Sequence, residues 1–134
     1  RDIHGELRFQ PMTEIGTGSA HGKVALAFGP QGLMQRCLAS ERKAWTPQTI
    51  RSPDALQRAV AQVKSRGWAA APNQVLQGVN GLAAPIFNHA GDYAGAVAIA
   101  GSIQYIPASP TQDQIRAVTQ TAERISRKLG WSGR

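Results

Sequence analysis

Acid is scarce in this chain and sulfur nearly absent. Eight Asp and Glu are spread over 134 residues, too few and too isolated to suggest the paired carboxylates of general acid–base chemistry. Cys37 is the single cysteine. That excludes an internal disulfide framework and a cysteine-built zinc site, and it fits a reducing compartment, so a cytoplasmic location is expected. His4, His21 and His89 are too scattered to argue for a metal. No stretch approaches the roughly 18 uninterrupted apolar residues of a spanning helix, and no membrane partner is expected. Charge of one sign is in excess: fifteen Lys and Arg leave a net +7. Yet the bases run from Arg1 to Arg134, with tight clusters only at Arg42-Lys43 and at Arg124, Arg127 and Lys128. Without a basic helix interleaved with aromatics, no nucleic-acid reading motif is present, and most of these charges read as a solvated surface.

What the chain has is a run of small residues. Between Gly67 and Gln112 the only side chain sure to be charged at neutral pH is Asp92. Within that span QGVNGLAAPIFNHAGDYAGAVAIAG, Gln77 to Gly101, reads as two strands joined by a turn at His89-Ala90-Gly91-Asp92. A run this apolar is buried, and a run this rich in Ala and Gly fills little space. Either helices pack closely on the sheet or the small side chains leave room for a ligand.

The flanking segments punctuate clearly. Glu6 to Met12 reads as a short strand. Ser19 can cap a helix that runs to Phe28 and stops at Gly29-Pro30. A second short helix spans Gly32 to Ala39. The clearest helix is opened by Ser52-Pro53-Asp54 and ended by Gly67, with Leu56, Ala59, Val60 and Val63 on one face. Trp68 to Ala71 is a candidate strand. Ser109-Pro110 opens a last helix to about Leu129, striped by Ile115, Val118, Ala122, Ile125 and Leu129. The order predicts one α+β domain, an antiparallel sheet with helices packed on it. Strands upstream of Arg1 are expected to complete the sheet.

Motifs for catalysis fail one by one. GTGSAHGK lacks the G-x-x-x-x-G-K-[ST] pattern, because Val24 follows Lys23. Ser19, His21 and Asp92 can be drawn as a triad, but no G-x-S-x-G elbow supports it. Cys37, beside Leu38, reads as core. His21 is the best single polar candidate, since it sits in the first turn of a helix whose free N–H groups can hold an anion. No enzyme activity and no cofactor are expected.

Several segments together resemble the effector-binding domain of the IclR family of bacterial transcription regulators. They are SAHGKVALAF, TPQTI from Thr46 to Ile50, DALQRAVAQVKSRGW, the Gln77–Gly101 run, and TAERISRKLG, co-linear over about residues 7–130. The resemblance implies a GAF-like (profilin-like) fold, with a small-molecule effector cupped between sheet and loops. It also implies a homo-oligomer, dimer or tetramer, that reaches operator DNA through a winged helix-turn-helix upstream of these residues. Carried over position by position, the family's anion-holding backbone falls on Ala20 and His21. A loop carboxylate falls on Ala71, a small or thiol position on Gly81, and two strand hydroxyls on Ala98 and Ala100. Gly22 and Val79 complete the expected set. Where family members hold a small keto acid with polar groups, this chain has Ala and Gly, with an imidazole at position 21. The substitution pattern points to a larger, partly apolar effector: an aromatic acid or amide first, a sugar acid second. The alternative is a GAF-like signalling or small catalytic domain unrelated to transcription.

Overall fold

A computed structural model describes residues 19–39 and 46–133. The elements are α1 (Ala20–Phe28), α2 (Gln31–Ala39), α3 (Pro53–Arg66), β1 (Ala69–Ala70), β2 (Val79–Phe87), β3 (Tyr93–Ser102) and α4 (Gln112–Lys128). The expected strand over Glu6–Met12 lies outside the described residues.

Local chemistry sets the boundaries. The Ser52 hydroxyl accepts the Ala55 N–H at 3.3 Å, and Gly67 closes α3 in the left-handed conformation at φ 88°. At α4 the cap is Thr111, two residues past the expected Ser109. Its hydroxyl accepts the Gln114 N–H at 3.1 Å, and Gln114 Oε1 accepts the Thr111 N–H at 3.1 Å. Both residue types can cap, but only Thr111 has Gln three positions on to close the reciprocal pair. The hairpin turn is organised by Asn88, whose Oδ1 accepts from the N–H groups of Ala90 and Asp92. His89 is exposed beside it.

The sheet is antiparallel in the order β1-β2-β3, with Ala69 opposite Ala83, Ala83 opposite Ala98, and Gly81 opposite Ala100. Alternation along the strands gives two faces. One, carrying Ala69, Ala71 and Ala83, packs on Ala20 and Val24 of α1 and on Leu56, Val60 and Val63 of α3. The other, carrying Ala70, Leu82 and Ala84, packs on Val118 and Ala122 of α4. Small side chains on the sheet let both helical layers come close.

The α4 stripe is narrower than its sequence suggests. Val118, Ala122 and Ser126, spaced by four, are buried, whereas Ile125 and Leu129 remain exposed. A row of small residues allows the closest approach to an alanine-rich sheet. Ser126 then does what an aliphatic side chain could not: its hydroxyl accepts the Phe87 N–H at 2.9 Å and donates to the Ala122 carbonyl at 2.8 Å. This secures β2 beside the irregularity between Ile86 and Phe87. Cys37 is buried on α2, as its apolar surroundings suggest. Among the described residues, no helix is long and apolar enough to cross a membrane.

Candidate functional site

The N-terminus of α1 is built by Ser19. Its hydroxyl accepts the Gly22 N–H at 2.9 Å, and its carbonyl accepts the Lys23 N–H at 3.0 Å. The amides of Ala20 and His21 precede any intrahelical partner, so two donors remain at the positive end of the helix. Gly22, although in the expected set, has its amide occupied by the cap.

Strand parity places the other expected residues on one surface. Val79 and Gly81 of β2 alternate with Asn80 and Leu82. Ala98 and Ala100 stand opposite Ala83 and Gly81, and Ala71 bonds through its N–H to the Gly81 carbonyl at 3.2 Å. All five therefore belong to the face that α1 covers. A methyl added at Gly81 would lie 3.6 Å from the Ala20 Cβ and 3.5 Å from the Ile99 carbonyl oxygen, so Gly81 sits directly under the start of the helix. Ala20, Gly22 and Ala71 are buried, Val79 and Gly81 half-buried, and Ala98, Ala100 and His21 exposed. The exposure of the two alanines has a simple cause: β3 is the outer strand of the described sheet. His21 stands exposed at the same end of α1, without a hydrogen bond to its side chain among the described residues.

Two features escape a reading of the sequence alone. The first is Asn80, fully buried, whose amide ties β1 to the segment before α4. Its Oδ1 accepts the Ala71 N–H at 3.0 Å, and its Nδ2 donates to the carbonyls of Ile106 at 3.3 Å and Pro107 at 2.9 Å. The second is Lys23, 4% exposed, whose ammonium donates to the Ala70 carbonyl at 2.8 Å. Since Ala71 directs its N–H at β2, Ala70 points its backbone groups outward, and Lys23 satisfies a carbonyl on the outer edge of the described sheet. Burial, and next the charge of Arg66, lower the Lys23 pKa from 10.5 to about 8. The one available signal was a lysine inside an otherwise apolar helix, AHGKVALAF.

Residues 16–127 match the family model described as bacterial transcriptional regulator IclR C-terminal. The chain belongs to the IclR family. A glycerol operon regulatory protein of Streptomyces griseus is 31% identical over 114 residues, covering 84% of this chain and 44% of that protein. A probable HTH-type transcriptional regulator, ArcR, of Halobacterium salinarum is 39% identical over 83 residues, covering 60% of this chain and 31% of that protein. The crystal structure of the Thermotoga maritima IclR superposes with a TM-score of 0.74 at 32% identity, covering 87% of this chain and 47% of that one. The C-terminal domain of the Escherichia coli regulator KdgR gives 0.71 at 26% identity, covering 87% and 71%. The chain thus spans less than half the length of the glycerol operon regulator and of the Thermotoga structure. The fold is the GAF-like α+β fold of IclR C-terminal domains, and the relatives are transcription regulators rather than enzymes.

Proposed function

We propose that this IclR C-terminal domain senses a partly apolar organic acid or amide, aromatic by preference, at the start of α1. The observation that carries the reading is the gathering of Ala20, Gly81, Ala98 and Ala100 on one face beneath two free amides. The amides of Ala20 and His21 supply donors for an anionic or carbonyl oxygen. The alanine and glycine surface supplies an apolar floor and no polar group to recognise a two- or three-carbon acid. His21 supplies the directed contact at the rim. Occupancy is relayed to an upstream winged helix-turn-helix that binds operator DNA, and the regulator works as a dimer or tetramer. The exposed Ile125 and Leu129 on α4 are an apolar surface suited to self-association.

A thermal-shift screen of aromatic acids, aromatic amides, sugar acids and short keto acids tests this reading. An aromatic acid or amide should raise the melting temperature of the wild type by mass action. Ala98→Leu, an exposed position, should keep the fold and lose the shift. His21→Ala should weaken binding by about 1–3 kcal/mol if its hydrogen bond to the ligand is charge-assisted. Best hits among two- or three-carbon keto acids, or unchanged affinity in both variants, would refute the assignment.

A further inference from the structure

We infer that the domain carries a second ligand site, at the outer edge of β1, and that it takes a small hydroxylated carboxylic acid. A cavity of about 440 Å³ opens there between α3 and the start of α4. None of the eight residues of the α1-terminal site lines it. Lys23, Arg66, Trp68 and Gln74 do, with Ile50 and Ile115 among its apolar walls.

The charges in this cavity are unbalanced. The Lys23 ammonium has three donors, and the Ala70 carbonyl takes one. Arg66 brings a second cation. Its guanidinium lies 3.6 Å over the Trp68 ring, and its Nε donates to the Trp68 carbonyl at 2.8 Å. Among the described residues, no carboxylate pairs with either. Within those residues the ion pairs of acids are those of Asp113 and Glu123, with Arg116 and Arg127 on α4. A buried ammonium held by a single carbonyl, with another cation beside it, keeps most of its desolvation cost uncompensated. An anion entering the cavity would offset it, and would meet both cations at once.

Gln74 adds a different requirement. Its Oε1 is buried and, among the described residues, has no hydrogen-bond partner. A carbonyl oxygen accepts but cannot donate, so it would repel a carboxylate oxygen and welcome a hydroxyl. The loop that presents it is firmly built. The Thr46 hydroxyl donates to the Asn73 carbonyl, the Thr49 hydroxyl donates to the Gln74 carbonyl at 2.5 Å, and Asn73, at φ 58°, accepts the Gly78 N–H through Oδ1 at 2.7 Å. An unpaired acceptor on a side chain that lines the same cavity as two cations is matched, once its amide turns into the cavity, by one molecule bearing a carboxylate and a neighbouring hydroxyl. The volume lies within the usual range for small-molecule sites.

Calorimetric titration of the wild-type chain with gluconate, acetate and inorganic phosphate tests the inference. Gluconate should bind, and acetate, which lacks the hydroxyl, should bind roughly tenfold more weakly. Lys23→Met and Arg66→Gln should each weaken gluconate by roughly tenfold to a hundredfold. Arg66 is exposed, so its variant remains informative even if Lys23→Met were to perturb the core. Gln74→Leu should abolish the preference for gluconate over acetate. Ala98→Leu should leave gluconate binding unchanged, which separates this site from the one at the α1 terminus. The inference fails if gluconate produces no heat at millimolar concentration, or if Lys23→Met and Arg66→Gln bind it like wild type. It also fails if Ala98→Leu alone removes binding, because the acid then occupies the other site. Phosphate binding as tightly as gluconate would overturn the hydroxy-acid assignment.

Discussion

Asn80→Ala should lower the free energy of unfolding by about 3 kcal/mol, large against the 5–15 kcal/mol typical of a domain. The side chain is fully buried and bonds from β2 both to the residue after β1 and to the segment before α4. Truncation leaves the Ala71 N–H with a second acceptor, the Gly81 carbonyl at 3.2 Å, so that donor is not orphaned. The carbonyls of Ile106 and Pro107 do lose the donor that Nδ2 provides. Each loss in the interior costs about 1–3 kcal/mol, and the vacated volume adds to it. Asn80→Asp keeps the shape and the acceptor but turns the donor edge into a second acceptor facing those two carbonyls, so it should be the worse variant. Urea unfolding followed by circular dichroism reads both. A midpoint shift equivalent to less than 1 kcal/mol for Asn80→Ala would show that water replaces the amide at no great cost.

Asn80 also shows where a sequence stops being readable. What could be read is what neighbours in the chain decide. Ser52, Pro53 and Gly67 delimit α3 from within its own turns, and the alternation of small residues delimits the hairpin. Parity alone put Ala98 and Ala100 on a common face, and the antiparallel register then brought them opposite Ala83 and Gly81. Their exposure could not be read, because it depends on which strand lies at the edge. Nor could the choice between Ser109 and Thr111 as cap be made by residue type, since the partner at Gln114 decided it. Asn80 finds its carbonyls 26 and 27 residues away, and Lys23 finds Ala70 at a separation of 47. Asn and Lys are ordinary surface residues, and apart from the apolar helix around Lys23 nothing adjacent to them marks a buried role. The stripe on α4 was legible as a stripe. Its effective width was not, because it depended on how near an alanine-rich sheet lets a helix come.

Lys23→Met should stabilise the domain at pH 7 by about 2 kcal/mol, the opposite of what removing a hydrogen-bonding residue from a core usually does. A folded-state pKa of about 8 against 10.5 for a free lysine corresponds to about 3 kcal/mol of destabilisation by the charged form. Losing the bond to Ala70 returns part of the gain. The groups that face the ammonium are the Ala70 carbonyl from β1 and the Arg66 charge from α3. The sign follows from proton counting. Below pH 8 both folded and unfolded chains hold the proton, and the cost is present in full. Between pH 8 and 10.5 the unfolded chain binds more protons than the folded one, so stability rises with pH, approaching about 1.4 kcal/mol per unit. Tyr93 opposes this only near and above pH 10, because burial raises its phenol pKa. Chemical denaturation at pH 7.5, 8.5 and 9.5 should therefore show the wild type gaining stability while Lys23→Met stays level. Equal slopes in the two proteins would mean that Lys23 titrates as though solvated. A wild type that already resists unfolding better than Lys23→Met at pH 7 would mean that the ammonium is compensated in the folded chain. If the slope appears and gluconate then flattens it, the anion is holding the proton on Lys23: ligand and proton are bound as a pair, and the buried charge is the cost of keeping that site ready.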